Sequence, residues 1–438
     1  MAVPKRATGA NAYFRMGFNT GDYGDRATAG SEPDGFWAVA AYTFGLDDEQ
    51  PLEDEPLLGE GRDPGDQQDG PVDVDGPIAL PVDQRRVGLF LRAMFGDPQS
   101  EAAVGSRGWI EFPANPANND TITLGGVTWT FVTSGATGNE TNIQGSLEAT
   151  LDQLVIDLNA SADTTIDDAT YSRVGDRLMI EHDTADSSGD SFTLAASAAK
   201  VKLSASTLKG GGLIKHVWHT GATTLPDFTV EREHADLEAG SARFNVYDGC
   251  VANTLTIQHQ RSGSARATVD VIGQTPSELT ASVAGAPTSK DVALFSHFHG
   301  FILVDGRRVA AITAGNLAIS NNLEAVPDVG REDGTIGGVD PGVTPIGVDL
   351  TGRYAINAIK QASDAKTPVD IRYGFVNWTN GAEVEFHIHR VRLPKPRRPI
   401  EGPGGIDVTY QGRAARDPTL TRAGTITLWN DVTTYTPS

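Results

Sequence analysis

Apolar residues in this chain come in short runs, and two of those runs lead into loops of the same kind. "FWAVAAYTFGL" at 36–46 has the composition of a strand, and "FILVDGRRVAAITAGNLAIS" at 301–320 reads as strands with a turn at Asp305-Gly306. Each gives way to a long acidic segment rich in Gly and Pro. The first, 47–76, holds twelve acids (Asp47, Asp48, Glu49, Glu53, Asp54, Glu55, Glu60, Asp63, Asp66, Asp69, Asp73 and Asp75) against one base, Arg62. The second, 324–348, holds five (Glu324, Asp328, Glu332, Asp333 and Asp340) against Arg331. Near-identical signals sit inside them, "GRDPG" at 61–65 and "GREDG" at 330–334.

The elements after each loop also recur. "IALPVDQRRVGLFLRAMFG" predicts a strand and then a helix, with Asp83 as cap, Val87, Phe90, Leu91 and Met94 on one apolar face, and Gly96 as stop. "IGVDLTGRYAINAIKQAS" predicts the same, with Asp349 or Thr351 as cap and Tyr354, Ala355, Ala358 and Ile359 as the face. Alternating strand pairs come after, 252–274 answering 382–413. One order (strand, acidic loop, strand, helix, strands) thus occurs twice, which predicts two copies of one β-rich fold meeting near 280–290.

About a hundred residues interrupt the first copy alone. "DTITLGGVTWTF" predicts a hairpin turning at Gly125-Gly126. "GSLEATLDQLVIDLNA" predicts an amphipathic helix capped by Ser146, with Leu147, Leu151, Leu154 and Leu158 along one stripe. "ATYSRVGDRLMIEH" predicts a second hairpin at Gly175-Asp176, and "SFTLAAS" a last strand. This ββαβββ unit is expected at a surface loop, where insertion is best tolerated. The expected division is 1–104 for the first fold's N-terminal part, 105–211 for the insert, 212–285 for the completion of the first fold and 286–438 for the second.

Charge narrows the function. A net charge of −22 opposes tight binding of nucleic acid, which needs clustered Lys and Arg. A single cysteine, Cys250, allows neither an intrachain disulfide nor a cysteine metal cluster. "MAVPKRATGANAYFRMG" lacks the apolar centre of a signal peptide, no run is long enough to span a membrane, and a cytosolic origin is expected.

Catalytic templates are absent: no G-x-S-x-G, no phosphate-binding P-loop, no H-E-x-x-H and no Cys-His pair. Neither an enzyme nor a cofactor is expected. Two H-x-H pairs, His297/His299 and His387/His389, have metal-pair spacing if they lie on strands, but no acidic or histidine partner stands at a recognisable distance in sequence. They are expected on polar strand faces, with Phe298 and Ile388 turned to the core. The loop acids lack a calcium-loop pattern and read as solvated. "HRVRLPKPRRP" gathers Arg390, Arg392, Lys395, Arg397 and Arg398 between prolines, an extended basic arm suited to the acidic loops.

Two β-folds, each with a helix and a long loop, resemble the tail tube proteins of long-tailed bacteriophages of the siphophage type. The resemblance is closest over "EPLLGEGRDPGDQQDGPVDVDGPIALPVDQRRVGLFLRAMFGDP" at 55–98, and the insert looks like an add-on domain of phage tail proteins. It implies two tandem β-sandwich or barrel folds in rings that stack into a tube through which DNA passes unbound. It implies a virion tail location after assembly in the host cytoplasm, with a tape measure protein and a tail terminator as partners. Two folds per chain imply trimeric rings of pseudo-sixfold symmetry, with hexameric rings as the alternative, and an insert that projects outward. Contacts between rings or subunits are expected at Asp47, Asp48, Glu53, Asp54, Glu55, Arg62, Asp63, Arg331 and Glu332, and at Arg390, Arg392, Lys395, Arg397 and Arg398. Two other readings are a glycan-binding surface protein, disfavoured by tryptophans scattered in sequence, and a metal-dependent double β-barrel enzyme resting on the H-x-H pairs.

Overall fold

The structure is a computed structural model and describes residues 6–30, 35–54, 63, 66–197, 200–238, 241, 243–259, 262–309, 312–328, 331–354, 358–398, 400 and 404–436. Its body is a sandwich of two antiparallel sheets, each with six principal strands, and each sheet draws strands from both halves of the chain. Sheet I runs in the order Asp73–Pro81, Arg266–Gly273, the second half of Phe244–His259, Ile312–Ser320, Ile346–Arg353 and Asp407–Ala414. Sheet II runs Gln99–Ala103, Ile214–His219, Gly424–Asn430, Ala382–Arg392, Val369–Asn377 and Gly300–Val304.

Strict alternation explains why both sheets have one dry face. In Ile346–Arg353 the buried positions are Ile346, Val348 and Leu350, and in Ala382–Arg392 they include Val384, Phe386 and Ile388. These residues join one apolar cluster with Val269, Leu255, Ile257, Leu317, Ile426 and Leu428. Between the sheets the Tyr373 hydroxyl donates to the Ile257 carbonyl at 3.1 Å, so the one polar atom of that ring is satisfied. The two halves therefore share a core.

The recurrence read from sequence is visible in the elements. Thr43–Phe44 and Asp47–Glu49 lie beside Asp73–Pro81 as Ile312–Ser320 lies beside Ile346–Arg353. Each acidic loop carries a small hairpin, Leu52–Glu53 with Gln68–Asp69 and Glu324–Val326 with Gly338–Asp340. A helix follows each, α1 at Val87–Phe95 and, after the insert's own helix α2 at Leu147–Asn159, α3 at Ala358–Ala365. The Asp83 carboxylate accepts from the N–H groups of Arg85 and Arg86, and Gly96 stops α1 at φ 83°.

Two local expectations fail for physical reasons. Every residue of α1 is buried, so it is a core helix and not a one-faced one. Asp349 and Thr351 do not cap α3. They sit on the open face of Ile346–Arg353 opposite Gln411 and Thr409, because strand alternation outweighs their capping tendency there. Ala355 lies outside the described residues. The sequence pattern also concealed a five-stranded sheet III, made of Phe36–Val39, Ala12–Phe18, Phe228–His234, the first half of Phe244–His259 and Thr275–Leu279. Its charged positions hide its period: Glu231 is fully buried, paired with Arg15 and accepting from Ser282 at 2.9 Å.

The insert builds its own core from Ile110, Trp129, Phe131, Leu151, Leu154, Leu158 and neighbours. Ser146 caps α2 by accepting the Ala149 N–H at 3.2 Å. Short strands Arg107–Glu111, Glu140–Asn142 and Lys202–Leu203 add to those expected, giving two four-stranded sheets. The chain enters and leaves side by side. The Val104 N–H donates to Leu213 O at 2.8 Å, and Gly212 donates back to Val104 O at 2.9 Å.

Candidate assembly surfaces

One face of sheet I is core, and the other is open and mostly polar, with two arginines, Arg266 and Arg413, among Thr, Ser, Asn, Gln and Asp. Strand registry aligns them into rows. Ala79, Thr268, Thr256, Ala318, Gly347 and Arg413 form one row, and Pro81, Arg266, Gln258, Asn316, Asp349 and Gln411 the next. Pro77, Asp270, Thr254 and Ser320 form a third. Cross-strand hydroxyl bonds knit the rows, Thr254 to Ser320 at 3.1 Å and Thr351 with Thr409 at 2.8 Å. Burial on this face, and Asp75 beside it, raise the Asp270 carboxyl, and burial raises that of Asp349. Arg266 is drawn over the Tyr42 ring, 4.2 Å from its centroid.

The two lateral edges of sheet I carry opposite charge. On one, Asp47–Glu49 pairs with Asp73–Asp75 in a register that sets Asp47 against Asp75 and Glu49 against Asp73. Like charges directly opposite repel. Although burial pushes the Asp47 carboxyl up, hydrogen bonds from Tyr247 at 2.8 Å and Arg232 at 3.2 Å hold it below the ordinary range. Asp48, Glu53, Asp54 and Asp63 are exposed, while Glu55 and Arg62 lie outside the described residues.

The second acidic loop lies against the first. The Val72 N–H donates to Gly334 O at 2.9 Å, and the Gln274 amide donates to Ile336 O at 3.0 Å. Arg331 is tied to Asp333 at 3.3 Å, leaving Glu332 exposed beside it. Arg331 and the N–H and hydroxyl of Thr335 lower the Asp333 carboxyl to about 2.

On the other edge, Asp407–Ala414 is paired along its length with Ile346–Arg353, and only its end meets Val391 and Arg392. Beside it opens a groove of about 830 Å³ whose lining includes Lys366, Arg392, Lys395, Arg398 and Arg413 against one acid, Asp364. Arg398 approaches Asp364 at 3.7 Å and stands over the Tyr354 ring. Arg390 anchors the arm through its carbonyl, which accepts the Ala415 N–H at 2.8 Å, and Arg397 is exposed.

The insert covers part of the outer face of sheet II. Arg107 pairs with Glu383 at 3.2 Å and lies 4.0 Å over Trp429, while Trp109 meets Trp378 edge-on at 6.1 Å. Glu111 receives Arg177 at 2.8 Å and Arg308 at 3.2 Å. Burial raises the Glu383 carboxyl against the pull of Arg107. Three tryptophans far apart in sequence thus line one cavity of about 710 Å³. The guanidinium of Arg177 lies 4.2 Å over Trp109, so two of the indoles are faced by arginine and offer no open sugar platform.

The histidine pairs divide. His297 and His299 lie on a 3-10 turn and not on a strand, and Phe298 is 85% exposed, contrary to the expected core position. A capping box explains the turn, with the Ser296 N–H donating to His299 Nδ1 at 3.2 Å. His387 and His389 do share the open face of a strand, with Ile388 buried between them. Asp370 on the neighbouring strand joins them, a partner seventeen positions before His387 that spacing within one strand does not signal.

A sequence model of phage tail tube proteins matches residues 9–414. No curated protein matches the chain. The chain therefore belongs to the phage tail tube protein family, a structural, self-assembling component of the virion tail and not an enzyme.

Proposed function

We propose that this phage tail tube protein closes into rings of three chains, each supplying two β-folds, and that the rings stack into the tail tube of a siphophage-type virion. The open face of sheet I lines the bore, and DNA passes it without specific binding during ejection. The observation that carries this reading is the pairing of a mostly polar open sheet face with lateral edges of opposite charge. This surface is mostly Thr, Ser, Asn, Gln and Asp; its two aligned arginines, Arg266 and Arg413, stand in different rows at opposite ends of the sheet, and Arg266 is drawn over Tyr42, so they do not cluster to hold phosphates. The insert sits on the other sheet, so a bore-facing sheet I turns the insert outward and leaves the channel clear.

Ring closure follows from the edges. An unpaired strand edge invites another chain, and a heterologous contact between two different edges generates a ring when the rotation closes. Asp47, Asp48 and Glu49 of one chain face the groove of Arg392, Lys395 and Arg398 of the next, which offsets the repulsion stored between Asp47 and Asp75 and between Glu49 and Asp73. The hairpins of the two acidic loops, with Glu53, Asp54, Asp63, Arg331 and Glu332, reach the adjacent ring. Glu55, Arg62, Arg390 and Arg397 belong to the same contact segments. By family, a tape measure protein fills the assembling tube, a tail terminator ends it, and assembly takes place in the host cytoplasm.

Thiol labelling tests the bore. Cys250, the sole cysteine, is fully buried, so Thr256→Cys supplies a single reactive site. In isolated chains a bulky polymer maleimide should react at that site, and in assembled tubes it should not, while a small maleimide reacts in both. Equal reactivity of the bulky reagent with tubes would refute a bore location. Arg392→Glu with Lys395→Glu should leave a folded subunit that fails to form rings. Closed rings with six chains would refute the proposed stoichiometry.

A further inference from the structure

We propose that Asp370, His387 and His389 form a binding site for a divalent transition-metal ion of the zinc class on the open part of sheet II. Each offers one ligand atom, and these atoms lie within 4.8 Å of one another. Zinc bonds to imidazole nitrogen and carboxylate oxygen are ~2.0–2.2 Å long, which spaces tetrahedral ligand atoms roughly 3.3 Å apart. Side-chain rotation closes the difference without moving a strand.

Backbone architecture presents the set. His387 and His389 project from the same face of Ala382–Arg392, and their rings approach to 4.2 Å between centroids. Asp370 stands on Val369–Asn377, where pairing with the histidine strand is irregular between Val369 and Ile371. That irregularity brings its carboxylate onto His387 Nε2. The Asp370 N–H donates to Asp305 at 2.9 Å, which fixes the backbone at that point.

Outer partners are also in place. Thr425 Oγ1 bonds His389 Nε2 at 2.9 Å, the kind of contact that sets an imidazole's tautomer and orientation. Arg372 lies 3.9 Å from Asp370 and is shared with Glu385 at 3.3 Å, so its charge is partly neutralised by another acid. Two imidazoles with one carboxylate favour zinc, nickel or copper over calcium, which prefers an all-oxygen shell. The three residues are part-exposed on the outer face and leave room for water or a side chain of a neighbouring subunit to complete the shell. A bound ion ties two adjacent strands together across the sheet.

The test is zinc titration of the full chain after chelator treatment, followed by calorimetry, with excess calcium present to occupy the acidic loops. Saturable binding of one zinc per chain is expected, with a rise in Tm. His389→Ala and Asp370→Asn should each weaken binding at least tenfold, since loss of even an outer partner costs ~10–100-fold. Thr425→Val should weaken it less while leaving the apo Tm near wild type. Zinc affinity unchanged in both ligand variants would overturn the proposal, as would no saturable binding to a wild-type chain that forms normal tubes. If His389→Ala does not fold, Asp370→Asn and Thr425→Val still decide.

Discussion

Replacing Asp270 and Asp349 by lysine changes the proposed bore wall without touching the core. Both carboxylates lie on the open face of sheet I, in separate strand rows, with apolar neighbours pointing the other way. Each exchange shifts the wall by two charges, so the pair shifts it by four per chain. An ammonium reaching a phosphate at ~4 Å gains about 1 kcal/mol in water, so two lysines hold the duplex by about 2 kcal/mol per chain passed. With ~1.36 kcal/mol per factor of ten, that is roughly a 30-fold longer dwell at low salt. The contact should weaken steeply with salt, by about 0.9 log units of affinity per tenfold change for each lysine engaged. Folding should change by less than about 1 kcal/mol, because the sites are not core positions. The assay is DNA ejection from virions carrying the variant, followed by dye fluorescence over a range of salt, with Asp270→Asn/Asp349→Asn as control. Slow ejection that recovers with salt is expected for the lysine pair alone. Wild-type ejection at every salt, from tubes of normal length, would refute a bore location for Asp270 and Asp349.

Other consequences can be checked on the purified chain. Removing 105–211 and joining Val104 to Gly212 by a short turn should leave a body that still assembles, destabilised by about 1–3 kcal/mol through re-exposure of Trp378 and Trp429, as read by thermal unfolding. Because burial raises the Glu383 carboxyl, its share of stability is present below the ordinary carboxylate pKa and is lost as pH rises through the raised value. Glu383→Gln should therefore flatten the decline of Tm between about pH 5 and about pH 8; an unchanged slope would show that the decline arises elsewhere. A Cβ at Gly88 would stand 2.1 Å from the Tyr435 ring, so Gly88→Ala should cost ~1–3 kcal/mol, and much less in a Tyr435→Ala background.

How much of this was legible in the sequence depended on periodicity. The hairpins at Asp305-Gly306, Gly125-Gly126 and Gly175-Asp176 were readable because turn residues and alternation agree, as positive φ at Asp305, Gly306, Gly125 and Gly175 bears out. Sheet III was not readable: a fully buried position is held by Glu231, ion-paired with the part-buried Arg15, and that defeats an alternation built on apolarity. The start of α3 was misplaced because Asp349 and Thr351 suit both a cap and an open strand face. The strand pairing that joins the two chain halves side by side in both sheets was not readable, since it links residues such as Ile214 and Asn430 that no local window compares. The charged edges were foreseeable in composition alone. The cross-strand register that opposes Asp47 to Asp75, and the strand pairing that carries Asp370 to His387, needed the fold.

Ring stoichiometry and bore lining are both read from a helical reconstruction of tubes assembled from this chain. Rings of three chains with pseudo-sixfold symmetry are expected, with a bore lined by the row of Thr268, Thr256, Ala318 and Gly347 and the insert on the outside. A tube whose bore is lined by the face of sheet II that bears Glu385 and His387, or by the insert, would contradict this arrangement.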